Sequence, residues 1–80
     1  MQLDDQRIDE TVLALLALFS FDGGRSWKGY NWDVMDRLYA QGCIDNPRSN
    51  FKSVCLEPQA LERGLAIAEQ LFSKRPGIGG

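Results

Sequence analysis

The side chains best suited to molecular recognition are concentrated in one short stretch of the sequence. Trp27, Tyr30 and Trp32 lie within six residues of one another, together with the cations Arg25 and Lys28. Aromatic rings stack on nucleic-acid bases or fill protein grooves, and cations pair with phosphates or carboxylates. The stretch therefore indicates a binding surface, and the structural alternative is that the rings cover the ends of helices.

Three more cations follow further along the chain and complete the candidate binding residues. Arg37 falls on the outward side of a predicted helix, and Arg48 and Lys52 fall in a polar loop. Asp33 and Asp36 share the helix with Arg37 and would repel phosphates. We therefore expect a protein partner or a second copy of this chain, and DNA binding by a winged-helix regulator is the alternative.

Catalysis and metal binding have few candidate residues in this sequence. The chain has no histidine and two cysteines, Cys43 and Cys55. A structural zinc site needs four ligands, mostly Cys or His, and nucleophilic triads usually need histidine as the base. We expect a protein that is not an enzyme, that has no metal or cofactor and that keeps both thiols reduced. The acidic residues near the N-terminus are interpreted as a solvated helix start: Asp4, Asp5, Asp9 and Glu10.

Size and composition indicate one ordinary globular domain. The 80 residues are 44% hydrophobic and 25% charged, and a domain is expected over residues 1–76 with a flexible tail at 77–80. A chain of this size buries only about 60% of its unfolded surface, so a homodimer would supply further burial. No apolar run approaches the ~20 residues that span a bilayer, and the acidic start is unlike a secretory signal. We expect a cytoplasmic protein without membrane contact.

Hydrophobic spacing predicts three helices. Ile8, Val12, Leu15 and Phe19 repeat at helical spacing and define the first helix. Asn31 is expected to cap a second helix over residues 32–41, and Pro58 to begin the third; residues 25–31 are predicted as a loop. The packing between the first and third helices is predicted to use Val12, Leu16, Phe19, Leu61, Leu65, Ala68 and Phe72, and the core is closed by Leu38, Ile44, Val54 and Leu56.

A β-hairpin is predicted between the second and third helices. Residues 43–45 and 51–56 flank a cluster of turn residues. A hairpin centred near Ser49 would place Cys43 opposite Cys55, and residue 44 opposite residue 54. The predicted fold class is therefore α+β, mostly α, with three helices and a small β-hairpin. This order is winged-helix-like, with residues 45–52 as the wing, although residues 23–30 are poor material for the short helix that normally precedes the recognition helix.

Three runs of the sequence together carry a family resemblance. Residues 8–16 read Ile-Asp-Glu-Thr-Val-Leu-Ala-Leu-Leu, residues 52–56 read Lys-Ser-Val-Cys-Leu, and residues 22–33 contain a Trp-Lys-Gly triplet followed by Trp-Asp. This pattern resembles a family of small bacterial proteins classified only as a domain of unknown function. The resemblance covers nearly the whole chain, implies a bacterial origin and supports the predicted fold, and it implies no activity. Family members tend to have threonine at the position of Glu57, and threonine would cap the third helix better.

Overall fold

The computed structural model describes residues 1–74, so the tail predicted at residues 77–80 lies outside the described part of the chain. Three helices and two short strands alternate along these residues. The α+β, mostly α class is therefore confirmed. In chain order the elements are α1 (Asp5–Leu18), β1 (Arg25–Trp27), α2 (Trp32–Ala40), β2 (Ser53–Cys55) and α3 (Pro58–Phe72).

Local capping chemistry fixes where the helices begin. Asp4 Oδ1 accepts a hydrogen bond from the Arg7 amide at 3.2 Å at the start of α1. Asn31 Oδ1 accepts from the amides of residues 33 and 34 at 2.9 and 3.3 Å, which confirms the predicted cap of α2. α3 begins at Pro58 as predicted, and the preceding Glu57 makes no side-chain capping bond. Threonine at this position would be able to supply that missing bond.

A tight turn carries the chain from α1 into the first strand. Asp22 and Gly23 have φ values of +48° and +77°, and Gly24 has +133°, a region that glycine enters without steric cost. The turn brings Phe21 beside Arg25, where their amides and carbonyls exchange hydrogen bonds of 2.7 and 2.8 Å. α1 has already ended at Leu18, so the glycines do not end the helix as predicted but form the turn that leads into β1.

The two strands are not the predicted hairpin, because α2 lies between them in the sequence. β1 pairs with β2 in antiparallel register, with Arg25 opposite Cys55 and Trp27 opposite Ser53. The prediction that residues 25–31 form a loop is thus wrong for residues 25–27. The register predicted for the antiparallel pairing across residues 43–56 is also wrong, by two positions. Residues 44 and 56 form an isolated bridge, and the Glu57 amide donates to the Cys43 carbonyl at 2.9 Å.

Tertiary contacts explain this register. Pro47 is fully buried, and Lys28 Nζ donates to the carbonyls of Pro47 and Ser49 at 2.7 Å each. On the other side, Asp45 Oδ1 accepts from the Cys55 amide at 2.8 Å. The loop of residues 45–52, predicted as a wing, is therefore held down on the body of the domain. Its pairing follows from these contacts and not from the position of the turn residues.

The core lies between the helices and the inner face of the sheet. All four residues predicted to close it are buried, and side chains from α1 and α2 complete it. Its buried apolar members include Leu13, Leu16, Ala17, Val34, Met35, Leu38, Ile44, Val54 and Leu56.

Small residues determine how α1 meets α3. A Cβ on Gly64 would lie 2.7 Å from the Ala17 Cβ and 2.9 Å from the Leu13 carbonyl oxygen, so the helices touch there without an intervening side chain. This contact turns the Leu13 and Ala17 side of α1 toward α3. The predicted packing was wrong for three of its residues, which are exposed: Phe19, Leu65 and Phe72.

Candidate interaction surfaces

The outer face of the sheet presents aromatic side chains to solvent. Neighbouring strand residues point to opposite faces, so Ser26 is buried while Arg25 and Trp27 lie on the outer face. The Trp27 ring lies 4.8 Å from the Phe21 ring, centroid to centroid, and remains 62% exposed. Phe51 lies on the same side and is 68% exposed. We call Phe21, Arg25, Trp27 and Phe51 the aromatic face.

Arg25 is held in a fixed position at the centre of the aromatic face. Its Nη2 and Nε donate to Ser53 Oγ at 2.7 and 3.0 Å, and its guanidinium carbon lies 5.6 Å from the centre of the Phe51 ring. Ser53 is buried, so its hydroxyl is a well-anchored acceptor. The arrangement fixes a cation beside the exposed Phe51 ring, on the same face of the sheet as Trp27.

A second cation lies over the other tryptophan. The Arg48 guanidinium lies 5.0 Å from the centre of the Trp32 ring and donates to both carboxylate oxygens of Asp36, at 2.7 and 3.2 Å. The hydrogen bond lowers the pKa of the Asp36 carboxyl and raises the pKa of the Arg48 guanidinium. Trp32 is exposed, but the charge of Arg48 is already paired within the domain.

Two further sequence candidates have structural contacts in the domain. Lys28 uses its ammonium group to hold down the loop of residues 45–52, and Tyr30 packs against the core. Lys52 is exposed, and its carbonyl accepts from the Lys28 amide at 3.2 Å. Of these three side chains, Lys52 alone projects into solvent without one of these structural contacts.

Arg37 joins α2 to α1 through a buried carboxylate. Its Nε and Nη2 donate to the two oxygens of Asp9 at 2.8 and 2.7 Å, and Asp5 lies 4.0 Å away. The hydrogen bond to Asp9 raises the pKa of the Arg37 guanidinium. The interpretation of Asp9 as part of a solvated helix start was wrong, because the residue is 4% exposed and its carboxylate is bound by Arg37.

Exposed apolar residues from α1 and α3 form a second surface. Leu18, Leu65, Ala68 and Phe72 line a shallow depression of about 310 Å³, with Glu69 and Ser73 at its edge. Leu18, Leu65 and Phe72 are all exposed, and Ala68 forms the buried floor. We call these four residues the α3 apolar surface. Sequence reasoning missed its exposure because helical spacing identifies an apolar stripe without showing which side another helix covers.

Phe21 and Phe51 are the members of the aromatic face that sequence reasoning missed. Residues two apart in a strand share a face, so Phe51 belongs with Ser53 and Cys55. This alternation could have placed Phe51 on the outer face. Phe21 carried no such signal, since it reaches Trp27 only through the turn at residues 22–24.

Three further features of the described residues concern groups of metal ligands, membrane-spanning helices and the state of the two thiols. Within residues 1–74, no three Cys, Asp or Glu side chains are grouped closely enough to hold a metal ion. No helix in this part of the chain is long and apolar enough to cross a bilayer. Cys43 and Cys55 are both free thiols, and burial raises the pKa of the Cys43 thiol.

The fold and the two surfaces define a small α+β domain with exposed apolar and aromatic contact areas. The chain belongs to the family described as Domain of unknown function (DUF6429), whose model matches residues 4–74. The chain is also 36% identical to the uncharacterized protein y4hR of Sinorhizobium fredii over 74 residues, which are 92% of this chain and 100% of that protein. These matches confirm the family resemblance seen in the sequence. No solved structure matches the chain.

Proposed function

We propose that this protein is a non-catalytic interaction domain that associates with a second copy of itself. The observation that carries the proposal is the α3 apolar surface, where Leu18, Leu65 and Phe72 are exposed around one depression. Burial of apolar surface is favourable by about 25 cal/mol per Å². A domain with a thin core therefore gains stability when a second copy covers this surface.

The shape of the α3 apolar surface favours a second copy as its occupant. The surface contains both an exposed aromatic ring, that of Phe72, and a depression beside it. In a two-fold dimer the same patch meets itself, so each ring can enter the depression of the other copy. The one charged residue of the lining, Glu69, can remain at the rim, where water solvates it.

The cations of the domain support protein association over DNA binding. Arg37 and Arg48 are paired with carboxylates, and Lys28 donates to backbone carbonyls. Duplex binding draws its affinity from several cations that are free to neutralise phosphates. The winged-helix DNA reader is therefore the second hypothesis. The proposal includes no cofactor and no membrane contact, and it places the protein in the cytoplasm, where free thiols stay reduced.

Sedimentation equilibrium of the intact chain tests the proposal. We expect the wild-type protein to be a dimer at micromolar concentration and the Leu65→Gln/Phe72→Gln variant to be a monomer with unchanged helical circular dichroism. Glutamine keeps a good helix former at each position while removing the apolar contact. Phe51→Gln is the control, because it removes an exposed aromatic ring of the same type from the aromatic face and should leave the dimer intact.

Two outcomes would reject this function. A wild-type chain that stays monomeric up to about 1 mM, where the association free energy is only about −4 kcal/mol, has no useful self-affinity. A chain that binds random-sequence duplex DNA at low salt, and releases it steeply as salt rises, would instead support the DNA reader.

A further inference from the structure

Arg25 differs from the other arginines of the described chain. Each of the other four arginines within residues 1–74 lies within 4.0 Å of a carboxylate, whereas Arg25 donates only to the neutral hydroxyl of Ser53. A guanidinium has five donors, and Nη1 of Arg25 donates to no atom of the described residues. Its charge is therefore fixed in place and is not neutralised by any of those residues.

The surroundings of Arg25 are those of a protein-binding hot spot. Trp27 and Phe51 lie on the same outer face and are 62% and 68% exposed. Tryptophan and arginine dominate the energetics of protein interfaces when they occur together in rigid positions. The hydrogen bonds to Ser53 and the contact between Phe21 and Trp27 supply that rigidity before any ligand arrives.

The backbone next to Arg25 favours an extended ligand. Amide–carbonyl bonds join Gly24 to Leu56 and Lys28 to Lys52, so the backbone of residue 26 also points toward β2 in the alternating antiparallel pattern. The backbone groups of Arg25 and Trp27 point the other way. The amide and carbonyl of Arg25 are hydrogen-bonded to the backbone of Phe21. The amide and carbonyl of Trp27 lie at the open edge of the sheet. One donor and one acceptor are thus available to a strand-like segment.

We propose that the aromatic face binds an extended acidic peptide of another protein. A ligand carboxylate pairs with Arg25, and an adjacent apolar or aromatic side chain packs against Trp27 or Phe51. A single fixed cation suits one carboxylate, while a nucleic-acid backbone needs a row of cations, and the neighbouring Lys28 and Arg48 are already engaged. This inference concerns a different surface from the α3 apolar surface and does not depend on dimer formation.

NMR of the intact chain tests the site with defined peptide pools. The pools are short peptides of random sequence with a fixed central Glu-Phe, Gln-Phe or Lys-Phe pair. We expect the Glu-Phe pool to shift the Trp27 indole resonance and the amide resonances of residues 25–27, with little response to the other two pools. The Arg25→Gln variant should lose about tenfold or more in affinity, because a charge-assisted bond is replaced by a neutral one.

Controls separate a binding role from a structural one. Arg63→Gln removes an arginine that pairs with Glu10 elsewhere on the domain, and it should leave peptide binding unchanged. Phe51→Ala should weaken binding while the wild-type dispersion of the NMR spectrum is kept. The Leu65→Gln/Phe72→Gln monomer should bind the Glu-Phe pool as tightly as the wild type, so that failure of dimer formation and failure of this site are distinguishable.

Three results would overturn the inference. The first is an equal response to the Glu-Phe, Gln-Phe and Lys-Phe pools, and the second is no response to any pool at about 1 mM peptide. The third is an Arg25-dependent response to single-stranded oligonucleotide that exceeds the response to the Glu-Phe pool. That result would assign the face to nucleic acid, where bases stack on the aromatic rings.

Discussion

Two arginine–carboxylate pairs join α2 to its neighbours. One lies on the side that faces α1, which we call the helical side, and the other on the side that faces the loop of residues 45–52, which we call the loop side. On the helical side, Arg37 binds Asp9 of α1 with side-chain exposures of 35% and 5%. On the loop side, Arg48 binds Asp36 with exposures of 60% and 42%. Both pairs are bidentate and both have a shortest contact of 2.7 Å. The geometry of a pair is therefore no measure of how much it stabilises the fold.

The two ion pairs should differ in how much they stabilise the fold, because their carboxylates differ in burial. A carboxylate that is nearly enclosed, as that of Asp9 is, cannot recover its bonds from water when its partner is lost. The two ions of an exposed pair are well hydrated when they are apart, so forming the pair stabilises the fold only a little. α1 is also tied to α3 by the Gly64 contact, whereas the loop side is held by the buried Pro47 and by the hydrogen bonds of Lys28 and Arg48. We infer that the helical side carries most of the stability.

The largest predicted effect is at the contact between α1 and α3. Gly64→Ala should destabilise the fold by about 3 kcal/mol, because the new methyl group would meet the Ala17 Cβ and the Leu13 carbonyl oxygen of the other helix. The gain in helix propensity, about 1 kcal/mol, is too small to offset this clash. Urea unfolding followed by circular dichroism measures the change.

Gly29→Ala is the matched control for this prediction. A Cβ at Gly29 meets nothing within 4 Å, and the residue is not in the left-handed region. Its replacement should be neutral or slightly stabilising, through a less flexible unfolded chain. Equal stability of the two variants would mean that α1 and α3 can separate at no cost.

The next effect concerns the buried ion pair on the helical side. Asp9→Asn keeps the size of the side chain but removes its charge, and should cost about 2 kcal/mol of the free energy of unfolding. The expected cost is below that of a fully enclosed pair, since Arg37 is a third exposed and water can reach it. Urea unfolding at neutral pH measures it. A loss no larger than that of Asp36→Asn would remove the distinction between the two sides.

The sequence predicted the features that depend on neighbouring residues. The cap at Asn31, the start of α3 at Pro58 and the position of β2 follow from side chains within a few positions, and all were confirmed. The pairing of β1 could not be predicted in this way, because residue 26 meets residue 54 across an intervening helix. The mixture of aromatic, polar and glycine residues over 25–31 gave no sign that three of them form a strand.

The candidate site was predictable to the same extent. The aromatic stretch was found in the sequence, which left its exposure open, and the structure exposes Trp27 and Trp32 while Tyr30 packs against the core. The contacts of Lys28 and Arg37 were not foreseen, because their acceptors lie 19 to 28 positions away in the chain. The contact of Gly64 with α1 determines which side of α1 faces α3. The sequence alone does not show this contact, because Gly64 is far from α1 along the chain.

The smallest predicted effect is at the exposed pair, and its pH dependence identifies it. The hydrogen bond from Arg48 holds the pKa of Asp36 below its ordinary value of 3.8. A carboxyl whose pKa is lowered by folding stabilises the fold above its unfolded pKa, and this contribution is lost as the pH falls through the lower folded value. Asp36→Asn should therefore destabilise slightly at neutral pH, by less than Asp9→Asn.

The difference between the wild type and Asp36→Asn should shrink below pH 3.8, where the Asp36 carboxylate of the unfolded chain becomes protonated first and that of the folded chain follows at lower pH. It should also shrink at high salt, because exposed charges are screened. Urea unfolding of both proteins across this pH range, at low and high salt, measures the difference. A difference that grows as the pH falls, or that ignores salt, would mean that Asp36 acts through packing rather than through charge, and that the loop side is more strongly built than its exposure indicates.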